Sequence, residues 1–222
     1  MTKRTLRYII STFVLLLLII SCGGSLITTL RVGDILAVAD YSDLVIYANA
    51  KIEIETFGLE DETDLKKKVT EWFRGAENFG SRSGDLTTFL TADIEIPIYN
   101  YYNNYYYKST DPFSILLYNA QDRIYLSFLF SESKFKEIDD YVQENFFSSL
   151  SLKDWNFSIT LYNDTKEKQT VALNYVYVND EPLLFEESYS LNPRETLDIR
   201  ISDLLRDFAV TEGFSTFGEL IK

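Results

Sequence analysis

The fold of this chain is decided by strands such as VIYANAKIEIETF, residues 45–57, in which apolar and polar side chains alternate. A two-residue period places alternate side chains on opposite faces of a β-strand, so that one face can be buried. The apolar face carries Ile46, Ala48, Ala50, Ile52 and Ile54, and the polar face carries Asn49, Lys51, Glu53 and Glu55. The stretch predicts a long strand that covers a hydrophobic core.

The same alternation recurs along the chain and predicts a protein dominated by strands. The repeated apolar positions are Ile94, Ile96 and Ile98, then Trp155, Phe157, Ile159 and Leu161, then Leu197, Ile199 and Ile201. In addition, Phe113–Tyr118 and Ile124–Phe130 flank a polar segment at 119–123, which predicts a β-hairpin.

Two segments have the spacing of amphipathic helices instead. The apolar positions are Leu65, Val69, Trp72 and Phe73 in the first, and Phe135, Ile138, Val142 and Phe146 in the second. A third, shorter helix is predicted at Asp203–Phe208. These patterns predict an α+β fold: a mainly antiparallel β-sheet with two main helices in the N-terminal part, and a β-rich, sandwich-like C-terminal part.

The composition excludes several classes of protein. The chain has no histidine and one cysteine, so it lacks the side chains for a Ser-His-Asp triad, an HExxH zinc site, a disulfide or a cysteine metal cluster. Its net charge of −13 disfavours nucleic-acid binding, which requires clustered Lys and Arg. We expect no cofactor, no metal site and no nucleic-acid partner.

The first residues have the organisation of a secretory signal. Lys3, Arg4 and Arg7 precede an apolar stretch, Tyr8–Ile20. A helix of this length spans about 20 Å, less than the roughly 30 Å hydrocarbon core of a bilayer. The segment is interpreted as a signal peptide, and an uncleaved membrane helix that continues to Ile27 is the alternative.

The only cysteine follows directly, in the sequence IISCG, residues 19–23. An aliphatic residue at −3, a small residue at −1 and cysteine at +1 resemble the lipobox of bacterial lipoprotein precursors. The resemblance implies cleavage after Ser21 and lipidation of Cys22 with diacylglycerol and a fatty acid such as palmitate. Two or more acyl chains anchor a protein stably to a bilayer.

This resemblance implies a protein of the cell envelope that a lipid anchor holds to the membrane. Gly23 stands where an aspartate would signal retention in the inner membrane, so the outer membrane is expected if the host has two membranes. Loss of the signal leaves 18 basic against 34 acidic side chains, a net charge of −16, which repels anionic headgroups. The expected segments are a signal peptide at 1–21, a lipidated N-terminus and short tether at 22–30, an α+β part at 31–150, and a β-rich part at 151–222 that ends in a short helix.

Two further segments, Arg31–Ala39 and Val178–Leu205, resemble those of an uncharacterised group of phage and prophage lipoproteins, and this resemblance implies no activity. LRVGDIL, residues 30–36, which overlaps the first segment, is similar to IRISDLL, residues 199–205, in the second. Either a duplicated module or the recurrence of a strand that leads into a capped helix explains the pair.

The segment YNYYNNYYYK, residues 99–108, is rich in tyrosine. If Asn103 and Asn104 form a two-residue turn, the segment folds into a hairpin. Such a hairpin is either stiffened by its paired rings or presents them to a glycan or protein partner. The candidate binding residues form an exposed ladder of Tyr99, Tyr101 and Tyr106, with Tyr102 and Tyr105 toward the core.

These features predict a non-enzymatic, membrane-anchored envelope lipoprotein. It is either a general surface lipoprotein of the bacterium or one that a prophage encodes. Its ectodomain is expected to bind or shield an unidentified envelope protein or glycan. The alternative is a carboxylate-dependent hydrolase of envelope glycans, which would use a pair of acidic residues such as Asp139-Asp140 or Glu186-Glu187. Adjacent side chains usually point apart, so we name no catalytic residue.

Overall fold

A computed structural model describes residues 21–56, 62–84, 87–103, 111–146 and 149–222. This part of the chain contains thirteen strands and four helices. The helices are α1 (Val32–Asp40), α2 (Thr63–Trp72), α3 (Glu132–Phe146) and α4 (Asp203–Glu212). The strands are β1 (Ser21–Arg31), β2 (Val45–Glu55), β3 (Glu77–Ser83), β4 (Thr88–Asn100), β5 (Phe113–Ala120), β6 (Arg123–Phe130), β7 (Ser149–Tyr162), β8 (Gln169–Leu173), β9 (Val176–Val178), β10 (Glu181–Leu183), β11 (Glu187–Leu191), β12 (Thr196–Ile201) and β13 (Phe214–Ile221).

All thirteen strands belong to one sheet. Twelve of them follow the order β10-β9-β12-β7-β1-β2-β4-β5-β6-β13-β8-β11. The remaining strand, β3, pairs with the first half of β4, and β5 pairs with the end of β4 along the same edge. Two pairs, β1–β7 and β4–β5, are parallel, and the other pairs are antiparallel. β1, the first described strand along the chain, therefore lies in the interior of the sheet, between β7 and β2.

The sheet curls until its two halves face one another across a shared core. Phe157 of β7 packs on Phe128 of β6 with ring centroids 4.9 Å apart, although four strands lie between them in the sheet. Phe113 of β5 packs on Trp155 of β7 with centroids 5.7 Å apart. All four rings are buried. Because each ring removes roughly 150–250 Å² from water, these contacts stabilise the closure.

Helices α1 and α4 cover opposite ends of the curled sheet. β1 leads directly into α1, which contacts β1, β2, β4 and β5. α4 follows β12 and contacts β6, β7 and β13. Since β7 is parallel to β1 and antiparallel to β12, β12 runs toward the end of the sheet at which β1 starts. We call these the α1 end and the α4 end, and β1 runs from the α4 end to the α1 end.

Both helices begin where a side-chain oxygen accepts a hydrogen bond from a backbone N–H that lacks a partner within the helix. Ser202 Oγ accepts from Leu205 N–H at 3.3 Å in α4. In α1 the acceptor comes from the loop after β7, where Asp164 Oδ1 accepts from Gly33 N–H at 2.8 Å. The expected change from strand to helix is confirmed in both similar segments, 30–36 and 199–205.

The predicted α+β fold, with its helical N-terminal part and sandwich-like C-terminal part, is wrong. The described part of the chain is mostly β, with 55% of its residues in strands and 23% in helices. The strands after residue 150 are divided between both sides of one sheet: β7, β9, β10 and β12 extend it beyond β1, and β8, β11 and β13 extend it beyond β6. The alternation of side chains identifies a strand but not its partner, so it did not indicate that β1 pairs with β7.

Residues 22–30, expected to form a tether, lie within β1 instead. Leu26 and Leu30 are buried, and Thr28 between them is also buried. Thr28 Oγ1 donates to the carbonyl of Asn49 at 3.0 Å, which satisfies its hydroxyl. The inward threonine interrupts the apolar alternation, so the sequence does not indicate how far the strand before α1 extends toward the N-terminus.

Four of the local predictions are confirmed. The two helical spacings correspond to α2 and α3, the predicted hairpin to β5 and β6, and the opening stretch to β2. Trp72 of α2 packs edge-to-face on Tyr141 of α3 with centroids 5.2 Å apart, so the two helices contact each other.

Candidate functional site

Cys22, the predicted lipidation site, lies in the first residues of β1 at the α4 end. Its backbone is in register with Leu150 of β7, and its side chain lies outside the described part of the structure. The predicted signal residues 1–20 also lie outside it. Lipidation of Cys22 therefore stays a prediction.

The residues that follow Cys22 are held tightly in the sheet. Gly23 N–H donates to Glu55 Oε2 at 2.9 Å, and Ser25 Oγ donates to Glu53 Oε2 at 3.0 Å. A Cβ atom on Gly24 would lie 2.5 Å from the indole ring of Trp155. This distance is too short for any side chain, so the position requires glycine. A group attached to Cys22 would thus be joined to the core through a short, rigid segment.

Glu53 connects the start of β1 to β3. Arg82 donates to both carboxylate oxygens, from Nε to Oε1 at 3.0 Å and from Nη2 to Oε2 at 2.7 Å. Burial acts to raise the pKa of Glu53, but the hydrogen bonds from Arg82 and Ser25 act against burial and leave this pKa below its ordinary value. The carboxylate therefore stays ionised and holds three strands together.

The described part of the tyrosine-rich segment does not extend to Tyr102 as the strand that the predicted hairpin requires, and the second arm of that hairpin, Tyr105–Lys108, lies outside the described residues. β4 ends at Asn100, whose Oδ1 accepts from Tyr102 N–H at 3.1 Å and whose carbonyl accepts from Asn103 N–H at 2.8 Å. An asparagine side chain that bonds the backbone two residues later forms a turn of its own, so the chain turns before Asn104. The next strand that the structure describes, β5, lies parallel to β4.

The exposure of the ladder also differs from the expectation. Tyr99 is fully buried, so it cannot contribute to an exposed ladder. Tyr102, expected to face the core, is 64% exposed, and Tyr101 is 42% exposed. Tyr105 and Tyr106 lie outside the described residues. A binding role for Tyr101 and Tyr106 stays a prediction.

Four tyrosines form a surface group that we call the tyrosine cluster: Tyr101, Tyr102, Tyr118 and Tyr125. The ring centroid of Tyr101 lies 5.6 Å from that of Tyr102 and 6.0 Å from that of Tyr118, both edge-to-face. Tyr118 lies 6.2 Å from Tyr125. A hydrogen bond with Tyr118 raises the pKa of Tyr102 above its ordinary value of 10.0. Such rings offer a large amphipathic contact area at low cost in side-chain entropy.

The tyrosine cluster lies at the α1 end. β4 is parallel to β1 because both are antiparallel to β2, so the end of β4 and the start of β1 are at opposite ends of the sheet. Asn100, just before Tyr101, is in register with Leu117, just before Tyr118. β1 spans about 30 Å between Cys22 and Arg31, at about 3.3 Å per residue. The cluster and Cys22 are therefore separated by most of the length of the sheet.

Sequence reasoning missed Tyr118 and Tyr125, although the predicted hairpin contains both. They are in register on β5 and β6. Their neighbours Leu117 and Leu126 are buried, so alternation places both tyrosine rings on the outer face. The signal that could have identified them was the pairing of two predicted strands rather than the local density of tyrosine.

An open cleft of 430 Å³ lies on the outer face of β1, β2 and β4. Its polar lining includes Lys51, Glu77, Asp93 and Glu95. Asp93 and Glu95 are two residues apart on one strand, so their side chains share a face at a spacing of about 7 Å. The cleft thus presents carboxylates to solvent beside a lysine.

The adjacent acidic pairs named from the sequence are placed elsewhere. Asp139 Oδ1 accepts from Leu150 N–H at 2.7 Å, which joins α3 to β7. Glu186 lies exposed between β10 and β11, and Glu187 is the exposed first residue of β11. Among the described residues, no group of three or more Cys, Asp or Glu side chains is arranged to hold a metal ion. Within the same ranges, every helix is too short or too polar to cross a membrane.

A family model described as a domain of unknown function (DUF7424) matches residues 24–221. The match begins two residues after Cys22 and includes α1–α4 and β2–β13 in full. No curated protein and no solved structure shows significant similarity to the chain.

Proposed function

The chain belongs to the DUF7424 family, and we propose that it is a lipid-anchored protein of the bacterial cell envelope that binds a partner at the end remote from its anchor. The observation that carries the proposal is the placement of the backbone of Cys22 at the α4 end and of the tyrosine cluster at the α1 end. The partner is an envelope protein or glycan, and the protein acts by binding or shielding it rather than by catalysis.

The anchor is proposed from the residues around Cys22. The apolar segment Tyr8–Ile20 and the sequence IISCG supply the signals that lipid attachment requires. The start of β1 supports this proposal, because Gly23 and Gly24 pass directly into the sheet. A bilayer that holds lipids on Cys22 would then lie next to the α4 end, in the outer membrane if the host has two membranes.

The binding surface is proposed from the tyrosine cluster. A net charge of −16 after cleavage repels other acidic molecules, whereas exposed tyrosine rings bind through apolar and hydrogen-bonding contacts. The rings also brace one another edge-to-face, so little entropy is lost when a partner binds. These properties suit stacking on a sugar ring or anchoring in a pocket of a protein.

Fatty-acid labelling tests the anchor. Cells that express the full chain are grown with a clickable fatty acid, beside cells that express Cys22→Ala. We expect label on the wild-type chain and none on the variant, because the variant has no thiol. Equal labelling of the two chains would contradict the anchor.

Binding to isolated envelope material tests the tyrosine cluster. We expect Tyr102→Ser combined with Tyr118→Ser to reduce binding by at least about tenfold, the effect of losing a hot-spot aromatic pair. Tyr41→Ser is the matched control, because Tyr41 is exposed at the same end but outside the cluster. Purified cell-wall glycan and washed membrane proteins, used separately, distinguish the two kinds of partner. Unchanged binding of the double variant to both materials would contradict this surface.

The cleft on β1, β2 and β4 favours a second candidate, hydrolysis of an envelope glycan. Asp93 and Glu95 lie on one face of β4 in this cleft, and a pair of carboxylates is what most glycosidases use. The test is release of reducing sugar from cell-wall glycan by the wild-type chain and by Glu95→Gln. Activity that the variant lacks would support this candidate, and no release by the wild type would remove it.

A further inference from the structure

The α4 end carries an exposed group of apolar side chains that we call the apolar patch: Tyr175, Leu184, Phe185, Leu204 and Phe208. Their exposed fractions range from 45% for Tyr175 to 81% for Phe185. Single exposed apolar residues are ordinary on a protein surface, but a contiguous group marks a contact site.

Strand register and one hydrogen bond bring the members together. Leu183 of β10 pairs with Val176 of β9 in antiparallel register. Leu184, directly after β10, is therefore next to Tyr175, directly before β9. The carbonyl of Tyr175 accepts a hydrogen bond from Ser202 Oγ at the start of α4. Leu204 and Phe208 are four residues apart on α4 and share one of its faces.

The patch faces away from the sheet at the end where β1 begins. Leu205 and Ala209 of α4 are buried, so the face with Leu204 and Phe208 is directed outward. Arg206 Nη1 donates to the carbonyl of Trp155 at 3.3 Å, and Trp155 is in register with Gly24. α4 therefore lies close to the start of β1, near Gly24, which is two residues beyond Cys22.

We propose that the apolar patch docks into the headgroup region of the bilayer that holds the lipids of Cys22. The proposal rests on the proposed lipidation, which brings a bilayer to this end of the sheet. Four steps in the sheet lead from β1 to β10, a lateral distance of about 20 Å at about 4.8 Å per strand. The anchor and the patch can thus reach one membrane plane together.

The charges around the patch determine which headgroups it accepts. Glu186, Glu187 and Asp203 are exposed beside the apolar residues. Carboxylates are repelled by anionic lipids, so docking requires zwitterionic headgroups such as phosphatidylethanolamine. Leucine and phenylalanine side chains enter the boundary between headgroups and acyl chains, and the tyrosine keeps its hydroxyl at the polar level.

Docking gives the protein a fixed orientation. Lipids on Cys22 alone would allow the sheet to tilt about its first strand. A second contact at the patch holds the sheet upright and keeps the tyrosine cluster at the membrane-distal end. The two surfaces therefore act together, one to orient the protein and one to bind its partner.

Quenching by a lipid-borne nitroxide tests the docking. The full lipidated chain carrying Phe185→Cys is labelled with bimane and incorporated into vesicles of phosphatidylethanolamine and phosphatidylcholine. The thiol of Cys22 is consumed by the lipid, so the new cysteine takes the only label. Tyr41→Cys is the matched control, since Tyr41 is an exposed aromatic residue at the α1 end. We expect quenching several-fold stronger at position 185 than at 41, and a loss of that difference when anionic lipid replaces half of the zwitterionic lipid.

Failure of docking is distinguishable from failure of the anchor. A chain that floats with the vesicles but shows equal quenching at both positions would overturn the docking and leave the anchor intact. A chain that does not float would overturn the proposed lipidation itself. Protection of position 185 from aqueous iodide without quenching by lipid would show that a protein covers the patch, which also contradicts docking. Leu204→Cys, on a different element, provides an independent label.

Discussion

The α1 end and the α4 end begin from similar sequences and present different surfaces. LRVGDIL and IRISDLL both lead a strand into a helix, yet Ile35 is fully buried whereas its counterpart Leu204 is 64% exposed. α1 starts at Val32, but α4 starts at Asp203, two positions later in the same alignment. Two residues rotate a helix by about 200°, which turns equivalent side chains to opposite faces. The residue at which a helix begins therefore decides which surface it presents.

The difference extends to the neighbours of each helix. At the α1 end the exposed aromatic residues are tyrosines, whose hydroxyls suit a polar partner. At the α4 end leucine and phenylalanine predominate in the apolar patch. A sheet with one amphipathic end and one apolar end has a built-in direction, and the proposed lipid at Cys22 lies at the apolar end.

The largest expected effect is the difference in stability loss between alanine substitutions at Ile35 and at Leu204. Ile35→Ala should lower the free energy of unfolding by about 3–4 kcal/mol, because it removes fully buried methyl groups from the core. Leu204→Ala should change it by less than about 0.5 kcal/mol, because the side chain is largely in water. Urea unfolding of the two purified variants measures both values. Equal losses would contradict the assignment of opposite faces.

A smaller effect concerns Glu53, which joins the start of β1 to Arg82. Its folded pKa is lowered, so its contribution to stability is present above its ordinary pKa of 4.5 and is lost as the pH falls through the folded value. Glu53→Gln should cost about 1–2 kcal/mol at pH 7, the value of a weakened charge-assisted hydrogen bond. Unfolding of wild type and variant from pH 7 to pH 3 measures the difference. A cost that is the same at pH 3 as at pH 7 would show that packing, not charge, holds these strands.

The smallest effect concerns Asp34 at the α1 end, whose pKa is raised, whereas that of Glu53 is lowered. Burial, followed by repulsion from Asp164, raises the pKa of Asp34 above its ordinary 3.8. A raised folded pKa means that ionisation of Asp34 destabilises the fold as the pH rises through that value. Asp34→Asn should therefore raise the midpoint of thermal unfolding slightly at pH 7 and leave it unchanged at pH 3. A lower midpoint at pH 7 would show that the carboxylate stabilises the start of α1 instead.

Local structure was predictable from the sequence because it depends on local periodicity. The alternation in β2 and the helical spacing in α2 and α3 identify these elements correctly. The turn after β4 was not predictable in this way, since two asparagines compete for it and the side chain of Asn100 closes a turn before Asn104 is reached. The fold class was missed for a similar reason, because β1 finds its parallel partner more than a hundred residues later.

The candidate surfaces were only partly predictable. The tyrosine-rich segment drew attention to Tyr101, but the cluster also requires Tyr118 and Tyr125 from a neighbouring hairpin. The apolar patch has no signal in the sequence, since it combines two loops and a helix face that strand pairing brings together.

The orientation of the sheet on the bilayer is tested most directly by energy transfer from the labelled protein to acceptor lipids at the vesicle surface. The donor is attached at Phe185→Cys in one sample and at Tyr41→Cys in the other. We predict strong transfer from position 185 and weak transfer from position 41, consistent with a separation of about 30 Å or more along the sheet. Transfer from position 41 as strong as that from position 185 would contradict an upright protein that stands on its α4 end.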